Sequence, residues 1–332
     1  MQSIKELKFV LESEVARVNQ VFIAPHKNAD FDALASAIGM SLIVKKLNKP
    51  VYVILEEDPA KIEPGVKKMV EDINNSVSII NLDTYKKLKS KEDLLIATDV
   101  NKDYLVCCNE YLDTFKSIII IDHHKEDEKT IETEYKYILP NISSTAEIIT
   151  ELLCAFKIKY SPLIANFLLA GIYLDTNKYT KNASSKTMNC VSKLLDKGAD
   201  IIKVNEFFEE DFYSDRKVQD LVSKANFITY SIALCIADDN IEYTKEELAK
   251  VADYLLRYKV DAAFAMGKID ENLISISARS KGKLDVSKIM QTFNGGGNVY
   301  SGASKIEDST IEELALKLEK VIRPTFYNEE TK

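Results

Sequence analysis

The stretch VFIAPHKNADFDALASAIGM, residues 21–40, joins a short apolar run to a helical pattern through a polar loop. The apolar run has the length and composition of a buried strand, and the loop after it carries His26, Asp30 and Asp32. Similar β-branched runs, alternating with helical patterns, recur as VYVIL (51–55), LLIAT (94–98) and SIIII (117–121). This alternation predicts an α/β fold with a mostly parallel sheet and helices on both of its faces.

The composition excludes several classes of protein. The chain has 332 residues, of which 46% are hydrophobic, and this length favours two domains. Its net charge of −8 provides no global basic field that would attract a long nucleic-acid duplex. The longest apolar stretches fall short of the roughly 20 residues that a membrane helix needs, and the first residues lack the apolar core of a secretory signal. We therefore expect a cytoplasmic protein without a membrane segment.

The pattern changes in the second half of the chain. Residues 181–226 are polar and helical, and from residue 227 shorter strands alternate with helices in the manner of a small α+β domain. We expect a first domain over residues 1–180, a helical linker over 181–226 and a second domain over 227–325. The elements predicted in the second domain are a strand at 227–237, a helix at 245–256, strands near 260–268 and 272–279, and a helix at 310–322.

All three histidines of the chain stand close to aspartates near predicted strand ends. Because the carboxyl ends of neighbouring parallel strands meet at one edge of a sheet, these side chains can share one cleft. The apolar run that ends at Asp175 can approach the same cleft. The six candidate metal ligands are His26, Asp30, Asp32, Asp99, His123 and Asp175.

Two imidazoles and four carboxylates are too many ligands for one ion and suit two divalent cations. Mixed nitrogen and oxygen donors favour Mn²⁺, Fe²⁺ or Zn²⁺ over Mg²⁺, and of these we expect manganese. Two ions roughly 3.5–4 Å apart support in-line displacement at phosphorus, so the ligand set predicts hydrolysis of a phosphoester. Asp99, at the end of a central strand, is our candidate for the ligand that bridges both ions.

These motifs resemble those of a known family. The His26-x3-Asp30-x-Asp32 loop, the Asp99 strand end, the Asp122-His123-His124 triplet and the Asp175 segment are similar to the four motifs of the DHH phosphoesterases. The SARS run at 277–280, followed by the glycines at 295–297, resembles the DHHA1 domain that accompanies them. Within the family, the chain is most similar to the catalytic half of membrane-bound cyclic-di-AMP phosphodiesterases, whose membrane and sensory segments have no counterpart in this sequence.

The resemblance implies a role for each residue of the metal site. His26 and Asp30 would hold one Mn²⁺, while Asp32, His123 and Asp175 would hold the second, with Asp99 between them. His124 would contact the phosphate or protonate the leaving oxygen. Asp122 would orient the ring of His123, since imidazole ligands usually donate their other N–H to a carboxylate or a carbonyl.

The second domain carries the candidate substrate-binding residues. Four of the ten glycines lie at positions 295–297 and 302, which suggests backbone that approaches a ligand closely. Arg279 is suited to fork onto a phosphate. Where the resembling family has a histidine after the three glycines, this chain has an asparagine, which donates a hydrogen bond but cannot carry a proton charge. The expected substrate contacts are Arg279, Ser280, Gly295, Gly296, Gly297 and Asn298.

Three functions fit these observations. We expect a manganese-dependent phosphodiesterase that opens a cyclic dinucleotide, cyclic di-AMP in the first place, to a linear dinucleotide by a two-metal hydroxide mechanism. The alternatives are a nanoRNase that degrades short oligonucleotides or dephosphorylates 3′-phosphoadenosine 5′-phosphate, and a nucleotide-binding sensor with little activity. By the same resemblance we expect a homodimer.

Overall fold

The computed structural model describes residues 3–55, 64–73, 76–209 and 212–330. The chain divides into two compact units, Met1–Glu209 and Glu210–Lys332. The segment 181–226, predicted to be a linker, contributes its earlier helices to the first unit and its last helix to the second.

The first unit is built on a parallel sheet. Its strands lie in the order β3-β2-β1-β4-β5-β6, and every neighbouring pair is parallel. The predicted α/β fold with a mostly parallel sheet is therefore confirmed. The strands are β1 (Gln20–Ala24), β2 (Val51–Ile54), β3 (Ile79–Ile80), β4 (Asp93–Thr98), β5 (Ser117–Asp122) and β6 (Tyr135–Ile138).

Helices connect these strands and follow them. Two short 3₁₀ helices, Asp103–Leu105 and Asn109–Thr114, lie between β4 and β5. The α-helices are α1 (Ile4–Ala16), α2 (Phe31–Lys46), α3 (Pro64–Ile73), α4 (Leu82–Leu88), α5 (Thr145–Ala155), α6 (Pro162–Asp175), α7 (Ser185–Asp196) and α8 (Ile201–Glu206).

The sequence of each central element explains its place in this unit. All residues of β4 are buried, as is expected for an inner strand of a parallel sheet covered on both faces. Helix α6 is apolar around most of its circumference, and it packs against α2 and α5 within the core. The apolar stripe of α1, which includes Leu7, Leu11 and Val15, is fully buried in the same core.

The second unit contains a mixed sheet with strand order β11-β12-β10-β9-β8-β7. Only β8 and β9 pair in parallel, and the other neighbours are antiparallel. The elements are α9 (Phe212–Val222), β7 (Asn226–Thr229), β8 (Ile232–Ile236), α10 (Lys245–Leu255), β9 (Ala262–Asp270), β10 (Leu273–Ser280), α11 (Val286–Gln291), β11 (Gly296–Gly297), β12 (Ser301–Glu307) and α12 (Ile311–Glu330).

One predicted element of this unit is wrong. The single strand expected at 227–237 is a hairpin, in which β7 and β8 are joined by a tight turn at Tyr230 and Ser231. The Thr229 hydroxyl accepts a hydrogen bond from the Ser231 amide at 3.4 Å, so a polar side chain fixes the turn inside an apolar stretch.

The sheet of the second unit has a core on each face. One core contains Ile274, Ile276 and Ala278 of β10 together with residues of α11 and α12. The other contains residues of α9 and α10. Because side chains alternate along a strand, Ser275, Ser277 and Arg279 project from the second of these faces.

Two further features follow from the described residues. None of their helices is long and apolar enough to cross a bilayer. All five cysteines are free thiols, and four of them are buried, as expected for core residues.

Candidate metal centre

The first group of polar side chains follows β1. The Nδ1 atom of His26 lies 2.8 Å from the carbonyl oxygen of Lys27, which directs Nε2 toward Asp30 and Asp99. Asp30 is the N-cap of α2, and its Oδ1 accepts the Ala33 amide at 3.0 Å. The Nε2 atom of His26 lies 3.7 Å from Oδ2 of Asp30 and 3.6 Å from Oδ2 of Asp99.

Asp99 occupies the middle of the site. It directly follows β4, and its backbone adopts a φ of 61°, a conformation that is uncommon for residues other than glycine. Its amide donates to the Ile121 carbonyl, and its Oδ1 accepts the Thr145 hydroxyl at 2.9 Å. These bonds, from β5 and from the start of α5, hold the carboxylate in one orientation.

Asp32 is fully buried in the first turn of α2. Its two oxygens accept the backbone amides of Thr145 and Ala146, each at 2.7 Å, so that the N-terminus of α5 holds this carboxylate. On its other side lies Gly171 of α6, where an added Cβ would come within 2.9 Å of both Cα and Oδ1 of Asp32. A glycine is needed there because the helix backbone approaches the carboxylate this closely.

The second group of polar side chains surrounds His123. Its Nε2 atom lies 3.0 Å from Oδ2 of Asp175, 3.5 Å from Oδ1 of Asp99 and 4.0 Å from Oδ2 of Asp32. Asp175 is the last residue of α6. The predicted convergence of four separate chain segments is therefore present in the structure.

The six side chains form two sets of three. Ligand atoms of His26, Asp30 and Asp99 lie within 4.8 Å of one another, and so do those of Asp32, His123 and Asp175. Asp99 faces both sets, since Oδ2 is close to His26 and Oδ1 is close to His123. A third combination within the same distance joins Asp99, His123 and His124.

The carboxylates of the site are buried or half-buried close to one another, and nearby positive charge would stabilise their ionised form. Burial, followed by repulsion from Asp175, raises the pKa of Asp32 to about 8. Burial and the neighbouring carboxylates, Asp32 first among them, raise the pKa of Asp99 well above its usual range. Burial lowers the pKa of His123, but the carboxylates around it, chiefly Asp175, outweigh this and raise the pKa to about 9. Without cations, the carboxylates therefore favour binding protons, and divalent ions would compete with those protons.

The donor set fits divalent cations. Nε2 of His123 is buried, and among the described residues no atom makes a hydrogen bond of proper geometry to it. A buried ring nitrogen that faces several carboxylate oxygens without a well-formed hydrogen bond is suited to share a metal ion with them. Nitrogen and carboxylate donors of this kind suit Mn²⁺, Fe²⁺ and Zn²⁺.

Asp122 contacts a different histidine ring from the one predicted. Its Oδ1 lies 2.8 Å from Nδ1 of His124 and accepts the backbone amides of His123 and His124. The expectation that Asp122 orients the ring of His123 is therefore wrong. Because the carboxylate closes a turn onto the two following amides, it reaches the ring of the second residue after it. The ring of His124 is held at the rim, and its side chain is 55% exposed.

A cavity of about 450 Å³ lies beside this centre. His26, Asp30, Asp99, His124 and Asp175 line one part of it. Lys27, Lys102 and Lys125 also line it, so that three cations lie beside the carboxylates.

The residues predicted to bind substrate fall into two sets. Arg279, Gly295 and Gly296 line one cavity of the second unit. Ser280 is buried, and its hydroxyl accepts the Gly282 amide at 2.9 Å. Asn298 Oδ1 accepts the amides of Tyr300 and Ser301 within its own turn, and Gly297 pairs with Gly302 in the sheet. Ser280, Gly297 and Asn298 do not line that cavity.

Sequence reasoning missed two residues that shape the metal centre. Thr145 contacts Asp99 and Asp32 across long stretches of chain, and no local pattern indicated this. Gly171 did carry a signal, because a single glycine inside an apolar helix indicates close packing of a neighbour.

Comparison with known families agrees with this architecture. Residues 20–172 match the DHH family, N-terminal domain, and residues 225–323 match the DHHA1 domain. The first match covers the parallel sheet and α5, together with most of α6. The second covers the mixed sheet with α10 and α11, together with most of α12.

Two curated relatives illustrate the similarity. The chain is 31% identical over 321 residues to the cyclic-di-AMP phosphodiesterase PdeA of Listeria monocytogenes, covering 93% of this chain and 48% of the relative. It is 26% identical over 302 residues to the bifunctional oligoribonuclease and PAP phosphatase NrnA of Mycoplasma genitalium, covering 87% and 89% respectively. The chain thus spans about half the length of the phosphodiesterase that it matches.

A solved structure shares the fold. An exopolyphosphatase-related protein from Bacteroides fragilis superposes with a TM-score of 0.79 at 22% identity, covering 98% of each chain. Both family matches, the identity to PdeA and the residues at the carboxyl ends of the strands agree. The chain belongs to the DHH family of phosphoesterases and carries a DHHA1 domain.

Proposed function

We propose that this protein is a manganese-dependent phosphodiesterase that hydrolyses a cyclic dinucleotide, cyclic di-AMP, to the linear dinucleotide. In this proposal the unit Met1–Glu209 supplies the metal centre and the unit Glu210–Lys332 supplies contacts to the nucleotide. The activity of the Listeria relative supports the substrate, although the two proteins share only the matching half of that relative.

One observation carries the proposal. Asp99 presents one oxygen to His26 and the other to His123, the two imidazoles of the site. This arrangement suits a carboxylate that bridges two ions. His26 and Asp30 would then complete the set on one side, and Asp32, His123 and Asp175 would complete it on the other.

When bound, two such ions lower the pKa of a coordinated water and neutralise the charge that develops on the phosphoryl oxygens. The protein's own groups keep the ligands in place. Thr145 holds the carboxylate of Asp99, while the start of α5 holds Asp32. The ring of His124 lies at the rim of the cavity beside the centre, where it can donate a proton to a leaving oxygen.

The lysines of that cavity support a phosphate substrate. Lys27 and Lys125 line it, and their ammonium groups attract the phosphodiester into a site whose ligands are otherwise acidic. Lys102 also lines the cavity but is paired with Asp127 at 2.8 Å. Local cations thus compensate for the negative charge of the whole chain.

The proposal is tested by incubating the purified chain with cyclic di-AMP and Mn²⁺ and separating the products by chromatography. We expect the linear dinucleotide to form with Mn²⁺ and not with EDTA. The variant Asp99→Asn should be inactive under the same conditions. Cleavage of other phosphodiesters without any turnover of cyclic di-AMP would reject this substrate.

A second candidate activity is the hydrolysis of short linear oligonucleotides or of 3′-phosphoadenosine 5′-phosphate by the same centre. The similarity to NrnA over most of both chains favours it. Rates on the linear dinucleotide and on cyclic di-AMP, measured side by side, distinguish the two candidates. A higher kcat/KM on the linear compound would favour the second.

A further inference from the structure

The β5–β6 loop, residues 123–134, carries both His123 and His124. All residues of this loop are described, and they form neither helix nor strand. Asp122 holds the start of the loop, because its carboxylate accepts the amides of His123 and His124. The conformation of the remainder therefore depends on bonds to neighbouring segments.

Asn101 holds the loop at His124. It follows β4, is fully buried and lines the cavity beside the metal centre. Its Nδ2 donates to the carbonyl oxygen of His124 at 3.0 Å, and its own carbonyl oxygen accepts the Ile131 amide at 2.8 Å. His124 is thus held from two sides, by Asn101 at the backbone and by Asp122 at the ring.

Lys102 holds the middle of the loop. Its Nζ donates to the carbonyl oxygen of Lys125 at 3.0 Å and to the hydroxyl oxygen of Thr130 at 3.1 Å. It also lies 2.8 Å from Oδ1 of Asp127. An ammonium group has three N–H donors, so these three acceptors use all of them. Lys102, whose side chain is only 12% exposed, is therefore committed to the loop and not to a phosphate.

The position of this loop determines what His124 can reach. The ring of His124 is 55% exposed, so its place depends on hydrogen bonds more than on packing. A proton donor acts only within hydrogen-bond reach of the oxygen that it protonates. A displaced loop would therefore impair proton donation, while the metal ligands outside the loop would stay in place.

We propose that Asn101 and Lys102 are positioning residues, which hold the β5–β6 loop so that His124 can protonate the leaving oxygen. This inference rests on the proposed function, because it concerns one step of the same reaction. It adds two residues that no motif of the sequence indicated.

The step itself is a hydrolysis. An oxygen of water bonds to phosphorus, the bond from phosphorus to the leaving oxygen breaks, and the ring of His124 gives its proton to that oxygen. Because Nδ1 of His124 faces Asp122, the donor is Nε2. The proton lost by the water passes to solvent, from which the ring is protonated again.

The test compares two small phosphodiesters that differ in their leaving oxygen. The p-nitrophenolate of bis(p-nitrophenyl) phosphate is a weak base and leaves without a proton. The phenolate of diphenyl phosphate is as basic as a tyrosine side chain, with a pKa of about 10, and its departure is assisted by a proton donor. The variants are Asn101→Ala, Lys102→Met and the charge-retaining Lys102→Arg.

Lys49→Met and Asn166→Ala are the matched controls. Lys49 donates from its ammonium group to the backbone carbonyls of Ala16 and Val18, at the amino ends of the strands. Asn166 is a buried asparagine of α6 whose side chain accepts the Asp200 amide at 2.7 Å. Each control removes bonds of the same kind without touching the β5–β6 loop.

We expect Asn101→Ala and Lys102→Met to lower kcat on diphenyl phosphate roughly ten- to a hundredfold, which is part of the roughly 10²–10⁴-fold contribution of a positioned proton donor. Their kcat on bis(p-nitrophenyl) phosphate, and their affinity for Mn²⁺ measured by calorimetry, should stay close to the wild type. Lys102→Arg should recover most of the loss. Hydrogen exchange in peptides that cover residues 123–134 should be faster in Asn101→Ala and Lys102→Met.

Unchanged rates on both diesters, or an equal loss on both, would overturn the inference, as would the same selective loss in a control variant. Hydrolysis of the diesters by the wild type without turnover of cyclic di-AMP would reject the proposed substrate alone, and the diester comparison would still decide the role of Asn101 and Lys102. If the wild type hydrolyses none of these compounds with Mn²⁺, the proposed function and the inference both fail.

Discussion

Replacing Gly171 by alanine perturbs the metal centre without removing any of its ligands. The added Cβ would lie 2.9 Å from Cα and Oδ1 of Asp32, whereas ordinary contacts of this kind begin at 3.4 Å. Asp32 must therefore shift by at least about 0.5 Å, or α6 must move away. The carboxylate has little freedom to shift, because two amides of α5 hold its oxygens at 2.7 Å.

The expected loss of catalytic rate follows from this displacement of Asp32. A misplacement of about 1 Å in a catalytic site costs roughly a hundredfold in rate, so we expect Gly171→Ala to lower kcat about ten- to a hundredfold. Its affinity for Mn²⁺ should fall as well, because Asp32 is one of the proposed ligands. Stability should change by no more than about 1–3 kcal/mol, since overpacking opposes the higher helix propensity of alanine.

Gly39→Ala is the matched control. Gly39 also lies within a buried helix, and its added Cβ would come within 2.5 Å of Ile149 in the core, away from the carboxylates. Hydrolysis of bis(p-nitrophenyl) phosphate is followed as a function of Mn²⁺ concentration in both variants, with melting temperatures recorded alongside. Wild-type kcat and Mn²⁺ dependence in Gly171→Ala, or an equal loss in Gly39→Ala, would show that the close approach of α6 to Asp32 does not control catalysis.

Three other predictions concern the same centre. Asp99→Asn should lower kcat by at least about 10²–10³-fold, because it removes charge from the position between both imidazoles, and steady-state rates with excess Mn²⁺ check this. Asp122→Asn should lower kcat about ten- to a hundredfold, because Asp122 contacts the ring of His124. Binding of Mn²⁺ should persist in this variant, and calorimetry with Mn²⁺ measures it separately from kcat. The melting temperature of the metal-free chain should fall as pH rises from about 5 to about 8. Folding raises the pKa values of Asp32 and His123, so the folded state binds protons that the unfolded state releases and loses stability as pH increases. Added Mn²⁺ should therefore raise the melting temperature more at pH 8 than at pH 6, and a constant increment would contradict this.

Much of the first unit was predictable, because each of its signals is local. Strands such as β4 and β5 are continuous apolar runs, and Asp30 caps the helix that begins after it. The rule that ligands gather at the carboxyl ends of parallel strands then placed His26 and Asp99 in one cleft, although 73 positions separate them.

What could not be predicted depends on contacts between distant segments. The bond from the Thr145 hydroxyl to Asp99 joins the start of α5 to the end of β4, and no periodicity connects these two segments. Asp122 contacts the ring of His124 and not that of His123, and this depends on the conformation of the backbone turn that follows Asp122. The bonds from Asn101 and Lys102 to the β5–β6 loop likewise join residues that lie 23 positions apart.

We propose that six side chains of the first unit hold two metal ions with Asp99 between them. Anomalous scattering at the manganese edge, from crystals of the chain grown with Mn²⁺, measures this directly. We predict two peaks roughly 3.5–4 Å apart. One should lie beside His26 and Asp30 and the other beside His123 and Asp175, with Asp99 contacting both. A single peak, or peaks away from these residues, would show that the six side chains do not form a two-metal centre.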